Sequence, residues 1–173
     1  DAPTLTVADA TGNEDEAIAL TVSSALTDAS ESLAITISGV PAGASLNNGT
    51  DNGDGSWSLT SADLAGLTIT PASNEDAEFA LTVTATSTDG ADTADTVDTI
   101  NVTVNAVADA PTLTVADATG NEDEAIALTV SSALTDTSES LTITISGVPA
   151  GASLNNGTDN GDGSWSLTSA DLA

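Results

Sequence analysis

A repeat of 108 residues constrains this chain more than any other feature of its sequence. The segment DAPTLTVADATG begins at Asp1 and begins again at Asp109. The second copy departs from the first at two positions, where Ala29 becomes Thr137 and Ala34 becomes Thr142. A unit of this length is the size of one small domain and is too long for one turn of a solenoid. The sequence therefore predicts one repeat at 1–108 and the N-terminal part of a second, near-identical repeat at 109–173.

Apolar residues alternate with Thr, Ser and Ala along the repeat, and this period of two is typical of half-buried β-strands. Pro, Gly and Asn-Gly pairs separate the apolar runs. Seven strands are predicted, near residues 3–8, 17–23, 33–38, 56–60, 67–70, 79–87 and 97–105. Seven short strands in such a unit favour an all-β fold of tandem seven-stranded antiparallel Greek-key sandwiches of the immunoglobulin-like type. Because only Trp57, Phe79 and Trp165 are aromatic, the core is expected to consist of Ala, Val, Leu and Ile, with Trp57 and Phe79 as core anchors.

The second copy has no counterpart of residues 66–108, so its strands are expected to lack partners and its core to be open. Two interpretations follow. One is that these 173 residues are a window on a longer tandem array, which near-identical repetition favours. The other is that a neighbouring subunit donates the missing strands.

Composition excludes several classes of function. The chain has 27 Asp and Glu residues and no Lys, Arg, His, Cys, Met or Tyr, which gives a formal net charge of −27. Ser–His and Cys–His catalysis, Schiff-base chemistry and thiolate or imidazole metal sites are therefore excluded, and we expect no enzyme activity. A polyanion repels nucleic acid and anionic membrane surfaces, and no apolar run is long enough to span a bilayer.

The acidic residues are not spread evenly over the repeat. Of the 17 in the first repeat, only Asp98 falls inside a predicted strand, so the sheet faces are expected to be nearly neutral and the ends of the domain strongly negative. An odd number of strands places the beginning and the end of the chain at opposite ends of the domain. Three acidic loops are then expected to meet the linker at 105–109: Glu14-Asp15-Glu16, Asp51–Asp54 and Asn74–Asp76.

No side-chain cation neutralises these carboxylates, and two unit charges about 4 Å apart repel by about 4 kcal/mol near a protein surface. Clustered carboxylate oxygens suit Ca²⁺, which takes six to eight oxygen ligands. The sequence therefore predicts calcium where one repeat follows the next, turning a repelling hinge into a rigid joint. The candidate metal ligands are Glu14, Asp15, Glu16, Asp76, Asp89, Asp92, Asp109, Glu122, Asp123 and Asp136. Asp51–Gly55 is predicted to be a tight turn instead, and Asp63 a turn or cap residue.

Four segments carry a resemblance to a known family: NEDEAIAL at 13–20, SGVPAGASL at 38–46, GDGSWSL at 53–59 and DLAGL at 63–67. The pattern, together with the linker at 106–111, resembles the tandem extender repeats of large bacterial RTX-type adhesins, also described as cadherin-like or immunoglobulin-like repeats. The resemblance covers essentially the whole chain. It implies calcium-rigidified β-sandwiches strung into cell-surface rods that are exported by type I secretion.

The resulting prediction is a structural spacer in an extracellular bacterial adhesin or fibre. Its expected partners are neighbouring repeats of the same chain, with lateral self-association through the uncharged Thr and Ala faces as a variant. Two alternatives from other classes stay open. A glycan-binding module would need an exposed aromatic platform, and a carboxylate-only glycosidase would need two acids about 5–9.5 Å apart in a cleft.

Overall fold

The computed structural model describes residues 1–172 and is all-β apart from two short 3-10 helices. The chain divides into two compact units, Asp1–Val107 and Ala108–Ala173, called here the first and the second unit. The strands of the first unit are β1 (Thr4–Ala8), β2 (Ala10–Asn13), β3 (Ile18–Ala19), β4 (Thr21–Ala25), β5 (Ser32–Ser38), β6 (Ser45–Leu46), β7 (Thr50–Asp51), β8 (Ser56–Leu59), β9 (Thr68–Thr70), β10 (Phe79–Asp89) and β11 (Asp92–Asn105). Its 3-10 helix is Ser61–Leu64.

A long hairpin of β10 and β11 organises the first unit. The two strands pair antiparallel from Phe79 opposite Val102 to Asp89 opposite Asp92. The connection is two residues long, and Gly90 supplies the positive φ, 61°, that short hairpin turns require. This hairpin is the centre of a six-stranded sheet with the order β2-β11-β10-β5-β8-β7.

The remaining strands form two smaller sheets. β1 pairs with β4 in one, and the other has the order β3-β9-β6. The N-terminal segment contributes to two sheets, because β1 pairs with β4 whereas β2 runs parallel to β11. Asp9 lies between β1 and β2 and accepts hydrogen bonds at Oδ1 from the backbone and side-chain nitrogens of Asn101, at 2.9 and 3.0 Å. This carboxylate therefore holds the chain where it changes sheets.

The three sheets bury one apolar cluster, so they behave as layers around a common core. The predicted composition is confirmed, because the buried apolar side chains are all Ala, Val, Leu or Ile. They come from both sides of the core: Ile18, Leu46 and Ile69 from the β3-β9-β6 sheet, and Ile35, Ile37, Leu81, Val83, Ile100 and Val102 from the six-stranded sheet. Trp57 and Phe79 pack against this cluster but are only partly buried.

The strand prediction was correct in location and wrong in detail. The strand predicted near 17–23 is divided in two at Leu20, and the short strands β2, β6 and β7 were not predicted. The central hairpin is longer than expected, so the prediction that only Asp98 lies in a strand was wrong. Asp51, Asp89, Asp92 and Asp95 also lie in strands. Thr86 explains how a strand tolerates Asp95, since its Oγ1 donates a 2.7 Å hydrogen bond to that carboxylate from the directly opposite position.

The second unit contains β12 (Thr112–Ala116), β13 (Thr129–Ala133), β14 (Ile143–Ser146), β15 (Thr158–Asp159), β16 (Ser164–Leu167) and a 3-10 helix, Ser169–Leu172. β12 pairs with β13, and β14, β16 and β15 form a three-stranded sheet. The counterparts of β9, β10 and β11 are not in the sequence. Apolar side chains that are buried in the first unit are consequently exposed here: Ile18 is 2% exposed and its counterpart Ile126 is 46% exposed.

The two copies offer a matched pair of core substitutions. We expect Ile18→Ala to destabilise the first unit by about 2–5 kcal/mol, because a buried side chain leaves a cavity. Ile126→Ala removes the same atoms from the same local sequence and is expected to cost under about 1 kcal/mol, since that side chain is already half in water.

Urea unfolding followed by tryptophan fluorescence measures both effects, because Trp57 and Trp165 place one reporter in each unit. Equal losses of stability in the two variants would contradict the difference in burial.

Candidate functional site

The register of the central hairpin defines two ends of the first unit. The turn end carries the Gly90 turn, the start of β5 and Asp1, whose carbonyl accepts a hydrogen bond from the hydroxyl of Ser87. The linker end carries the start of β10, the end of β11 and the segment that follows Asn105. The chain therefore begins at one end of the unit and leaves at the other, as the strand parity predicted.

The acidic residues separate between these two ends. Four acidic residues lie at the turn end. Asp89 and Asp92 face each other there across the hairpin. Asp28 and Glu31 come just before Ser32, which begins β5 opposite Thr88. β5 ends at Ser38, which lies opposite Thr82 near the start of β10 and opposite Ser56 at the start of β8. The turn between Asp51 and Ser56 therefore lies at the linker end. The linker end thus holds eight carboxylates and no side-chain cation: Glu14, Asp15, Glu16, Asp51, Asp54, Glu75, Asp76 and Glu78.

Glu14 is the centre of the linker end. Its backbone nitrogen donates to the carbonyl of Asn105 at 3.0 Å, and its Oε1 accepts from the backbone nitrogen of Val107 at 2.6 Å. The residue is only 3% exposed, and its second carboxylate oxygen, Oε2, is buried without a hydrogen-bond partner. A buried acceptor without a partner costs about 1–3 kcal/mol, and more when it is charged. This orphaned oxygen is therefore a place where a cation would be stabilising.

The neighbouring predicted ligands are tied into loop structure. Asp15 has a positive φ of 58°, and its Oδ1 accepts a 3.1 Å hydrogen bond from the backbone nitrogen of Asn74. This contact joins the 13–17 loop to the 72–78 loop, which contains Asp76. Glu16 accepts a 3.3 Å hydrogen bond at Oε2 from Asn13. The structure therefore brings Glu14, Asp15 and Glu16 to the linker together with the Asn74 loop, as the sequence predicted.

Residues 1–172 nevertheless contain no group of three or more acidic side chains arranged to hold a metal ion. Any calcium bound at Glu14 would thus need oxygen ligands beyond the carboxylates that already lie together. Asp89 and Asp92 lie at the opposite end of the same unit, directly across the hairpin from each other. They cannot share an ion with Glu14 of their own unit.

In the second unit, the predicted ligands have different surroundings. Glu122 and Asp123, the counterparts of Glu14 and Asp15, are exposed. Asp136 is buried and its carboxylate accepts from the backbone nitrogen and the hydroxyl of Ser138, at 2.8 and 2.7 Å. The backbone nitrogen of Asp109 donates a 2.6 Å hydrogen bond to Oε1 of Glu139. As candidate ligands, these four residues remain predictions.

Besides Glu14, which binds the end of the repeat, a carboxylate binds the start of each repeat, and this role was not predicted from the sequence. Glu139 binds the Asp109 amide, and its counterpart Glu31 binds the amino group of Asp1 at 2.5 Å. Like Glu14, Glu31 has a buried Oε2 without a hydrogen-bond partner. The sequence signal was the Asp-x-Ser-Glu pattern at 28–31 and 136–139. Its Asp accepts a hydrogen bond from the backbone nitrogen of the Ser two residues later, and its Glu binds the first residue of the repeat.

Several Asp residues form local turns rather than ion sites. The hydroxyl and backbone nitrogen of Thr60 both bind Asp63, which caps the 3-10 helix, and these bonds lower the pKa of that carboxyl. The hydroxyl and amide of Ser56 lower the pKa of Asp54 in the same way. The predictions of a tight turn at Asp51–Gly55 and of a cap at Asp63 are therefore confirmed. The same bonds recur at Asp162 and Asp171.

No protein-family model matches the chain, and no curated protein does. Among solved structures, the chain is similar to the titin domains Z1Z2 in complex with telethonin, at 12% identity and a TM-score of 0.34, over 99% of this chain and 82% of that one. It is also similar to a chimeric titin Z1Z2 functionalised with a KLER exogenous peptide from decorin, at 12% identity and a TM-score of 0.31, over 95% and 80% of the two chains. Likenesses at this level do not bear on the function of this chain. Within residues 1–172 there is no helix of the length and apolarity that crossing a membrane requires.

The capping bonds of Asp63 generate a pH-dependent prediction. A carboxyl whose pKa is lowered by folding contributes stability that is fully present above its ordinary pKa of 3.8 and is lost as the pH falls through the folded value. We expect Asp63→Ala to lower the urea midpoint at pH 7 and to differ less from the unsubstituted chain at about pH 2. Urea unfolding at both pH values measures this, and a gap of constant size would contradict the ionic character of the cap.

Proposed function

We propose that this chain is a structural extender repeat of a calcium-rigidified bacterial cell-surface adhesin or extracellular fibre, acting as a spacer and not as a catalyst. The observation that carries the proposal is the buried carboxylate of Glu14, which holds the linker at Val107 with one oxygen and leaves the other without a partner. The near-identical repetition of a domain-sized unit supports a spacing role, because it adds length without adding a new surface. The resemblance to RTX-type extender repeats points in the same direction.

The proposal includes an immunoglobulin-like Greek-key sandwich for the complete repeat. The first unit supports it, because its strands can be counted as seven. In this count, the consecutive strands β1 and β2 are one strand, the consecutive strands β3 and β4 are another, and the two-residue strands β6 and β7 are left out. The location of the linkers suits a spacer, because the first unit begins at its turn end and leaves at its linker end.

Calcium is the ion proposed for the linker end. Glu14 Oε2 is a hard oxygen ligand that is already desolvated, and the surrounding carboxylates raise the local concentration of divalent cations. Extracellular calcium modules have dissociation constants of about 10⁻⁴–10⁻³ M. Binding of that strength at about 10 mM calcium adds about 1–3 kcal/mol to the free energy of unfolding.

The test is the calcium dependence of stability in Glu14→Gln, which keeps the shape of the side chain and removes its charge. We expect calcium to raise the melting temperature of the unsubstituted chain and to raise that of Glu14→Gln much less. Asp98→Asn is the control, because it removes one negative charge from a strand in the middle of the central hairpin and should keep the full response. The calcium proposal fails if calcium does not stabilise the unsubstituted chain, or if Glu14→Gln responds as strongly.

The spacer role has its own measurement. Small-angle scattering of the chain in calcium and in EGTA reports the freedom of the linker, and we expect the distribution of interdomain distances to widen on chelation. A distribution that does not change would remove the calcium joint, and the spacer role would then rest on repetition alone.

A further inference from the structure

A pocket of about 350 Å³ lies at the linker end of the first unit. Its apolar walls come from the turn after β5, the segment after β9 and the start of β10, and two acidic residues of the loop between β9 and β10 also line it. The walls include Pro41, Ala44, Pro71 and Phe79, and the acidic residues are Glu75 and Glu78. The function proposed above makes no use of this pocket.

The main chain around the pocket is held by specific contacts. The turn at 41–44 is closed by a 3.1 Å hydrogen bond from its last amide to its first carbonyl, and Gly43 has a positive φ of 87° that favours glycine. A Cβ atom on Gly43 would lie 2.9 Å from the Cβ of Ala72, so the turn packs directly against the segment after β9. On the acidic side, Asp15 holds the loop between β9 and β10 by accepting a hydrogen bond from the backbone nitrogen of Asn74. The pocket is therefore preformed, and a ligand does not have to order it.

The lining selects a ligand that is apolar along its length and positively charged at its end. Anions are repelled by Glu75, Glu78 and the net charge of −27. Calcium fits this pocket poorly, because it needs many oxygen ligands and the walls consist mainly of Pro, Ala and Phe side chains. A cationic side chain with an apolar stem satisfies both parts of the lining, since the stem covers the walls while the charge stays beside the carboxylates.

Among cationic side chains, arginine suits this lining best. Its guanidinium is more weakly hydrated than the ammonium of lysine, so less hydration is lost when it lies against an apolar wall. It also stacks on aromatic faces and binds carboxylates through a planar fork of N–H donors. Phe79 supplies an aromatic ring that is only partly buried, and Glu75 and Glu78 are exposed. The ring and the two carboxylates are therefore accessible to a guanidinium from outside the chain.

We propose that this pocket binds an arginine side chain presented by an exposed segment of another protein. The aliphatic stem lies against the proline walls, and the guanidinium is held by Phe79, Glu75 and Glu78. A second copy of these 173 residues cannot be the partner, because they contain no arginine. Free arginine is disfavoured because it brings a carboxylate of its own, which the acidic side of the pocket repels, whereas an arginine within a peptide chain does not.

The experiment is an NMR titration of the isotope-labelled chain with the tripeptide Ala-Arg-Ala, blocked at both ends. We expect saturable shifts of the amide signals of residues 72–79, a segment that occurs once in these 173 residues and therefore reports this pocket alone. The titration is carried out in EGTA, so its outcome does not depend on the calcium proposed at Glu14. A peptide with citrulline in place of arginine keeps the shape without the charge, and we expect it to bind at least about tenfold more weakly.

Two further ligands separate this site from general attraction to a polyanion. A blocked Ala-Lys-Ala peptide has the same charge, and we expect it to bind more weakly than Ala-Arg-Ala because lysine stacks less well on an aromatic ring. Free arginine is also expected to bind more weakly. Equal affinities for the arginine and lysine peptides would show that the net charge alone attracts them, and equal affinities for the arginine and citrulline peptides would show that the pocket needs no cation. Either result, or the absence of shifts at 72–79, would overturn the proposal.

Matched variants locate the site. Glu78→Gln removes one carboxylate from the lining and is expected to weaken binding of Ala-Arg-Ala about threefold. Asp98→Asn is the control, because it removes one negative charge from an exposed position that does not line the pocket, and it should leave the affinity unchanged. Phe79→Leu keeps an apolar wall without the aromatic ring and is also expected to weaken binding about threefold, with melting curves to establish that it is folded. Equal affinities in Glu78→Gln and Asp98→Asn would place the peptide elsewhere and refute the site.

Discussion

The pairing of β10 with β11 is the interaction on which the first unit depends. This hairpin supplies the two central strands of the largest sheet and contributes Leu81, Val83, Ile100 and Val102 to the core. It also separates the two ends of the unit, because its turn lies at one end and its open termini at the other. Residues 108–173, the second unit, include no counterpart of β9, β10 or β11, and Ile126 and Leu128 are exposed there.

A chain without Lys, Arg or His must stabilise its carboxylates by other means, and this chain uses N–H and O–H donors. Asp9, Asp54, Asp63 and Asp95 each accept hydrogen bonds from backbone amides, hydroxyls or an Asn side chain. Donors of this kind favour the ionised form, which explains the lowered pKa values of Asp54 and Asp63. Glu14 and Glu31 differ, because each leaves one buried oxygen without such a donor. The buried carboxylate oxygens without a donor therefore belong to the two residues that hold the beginning and the end of the repeat.

The sequence predicted the parts of the fold that depend on local pattern. Alternation of apolar residues located the strands, and Gly and Asx residues located the turns, since both signals act over a few neighbouring residues. The presence of β2 and the division between β3 and β4 could not be predicted in this way. The turn of the chain at Asp9 involves Asn101, which is 92 residues away, and within the central hairpin Asp95 accepts a hydrogen bond from the hydroxyl of Thr86 on the neighbouring strand. Contacts of this kind require knowledge of which strands are neighbours.

The candidate site was predictable to a similar depth. Parity of the strands was sufficient to place Glu14, Asp15 and the Asn74 loop beside the linker, because it depends only on how often the chain reverses. The burial of Glu14 was not predictable, since it results from Asn105 and Val107 binding over it. The role of Glu139 was hidden for the same reason, because its partner is a backbone amide 30 residues earlier, and a backbone amide has no sequence signature.

These two carboxylates also limit the freedom of the linker. Val107 is bound to Glu14 within the first unit, and Asp109 is bound to Glu139 within the second. Only Ala108 lies between the two anchored residues. Each anchor is a single hydrogen bond from a backbone amide to a carboxylate, and repulsion between that carboxylate and its acidic neighbours opposes the bond. A cation that shields Glu14 from the other carboxylates of the linker end would preserve its hold on Val107. Under the calcium proposal, neutralising the charge of Glu14 and preserving its bond to Val107 would be a single physical event.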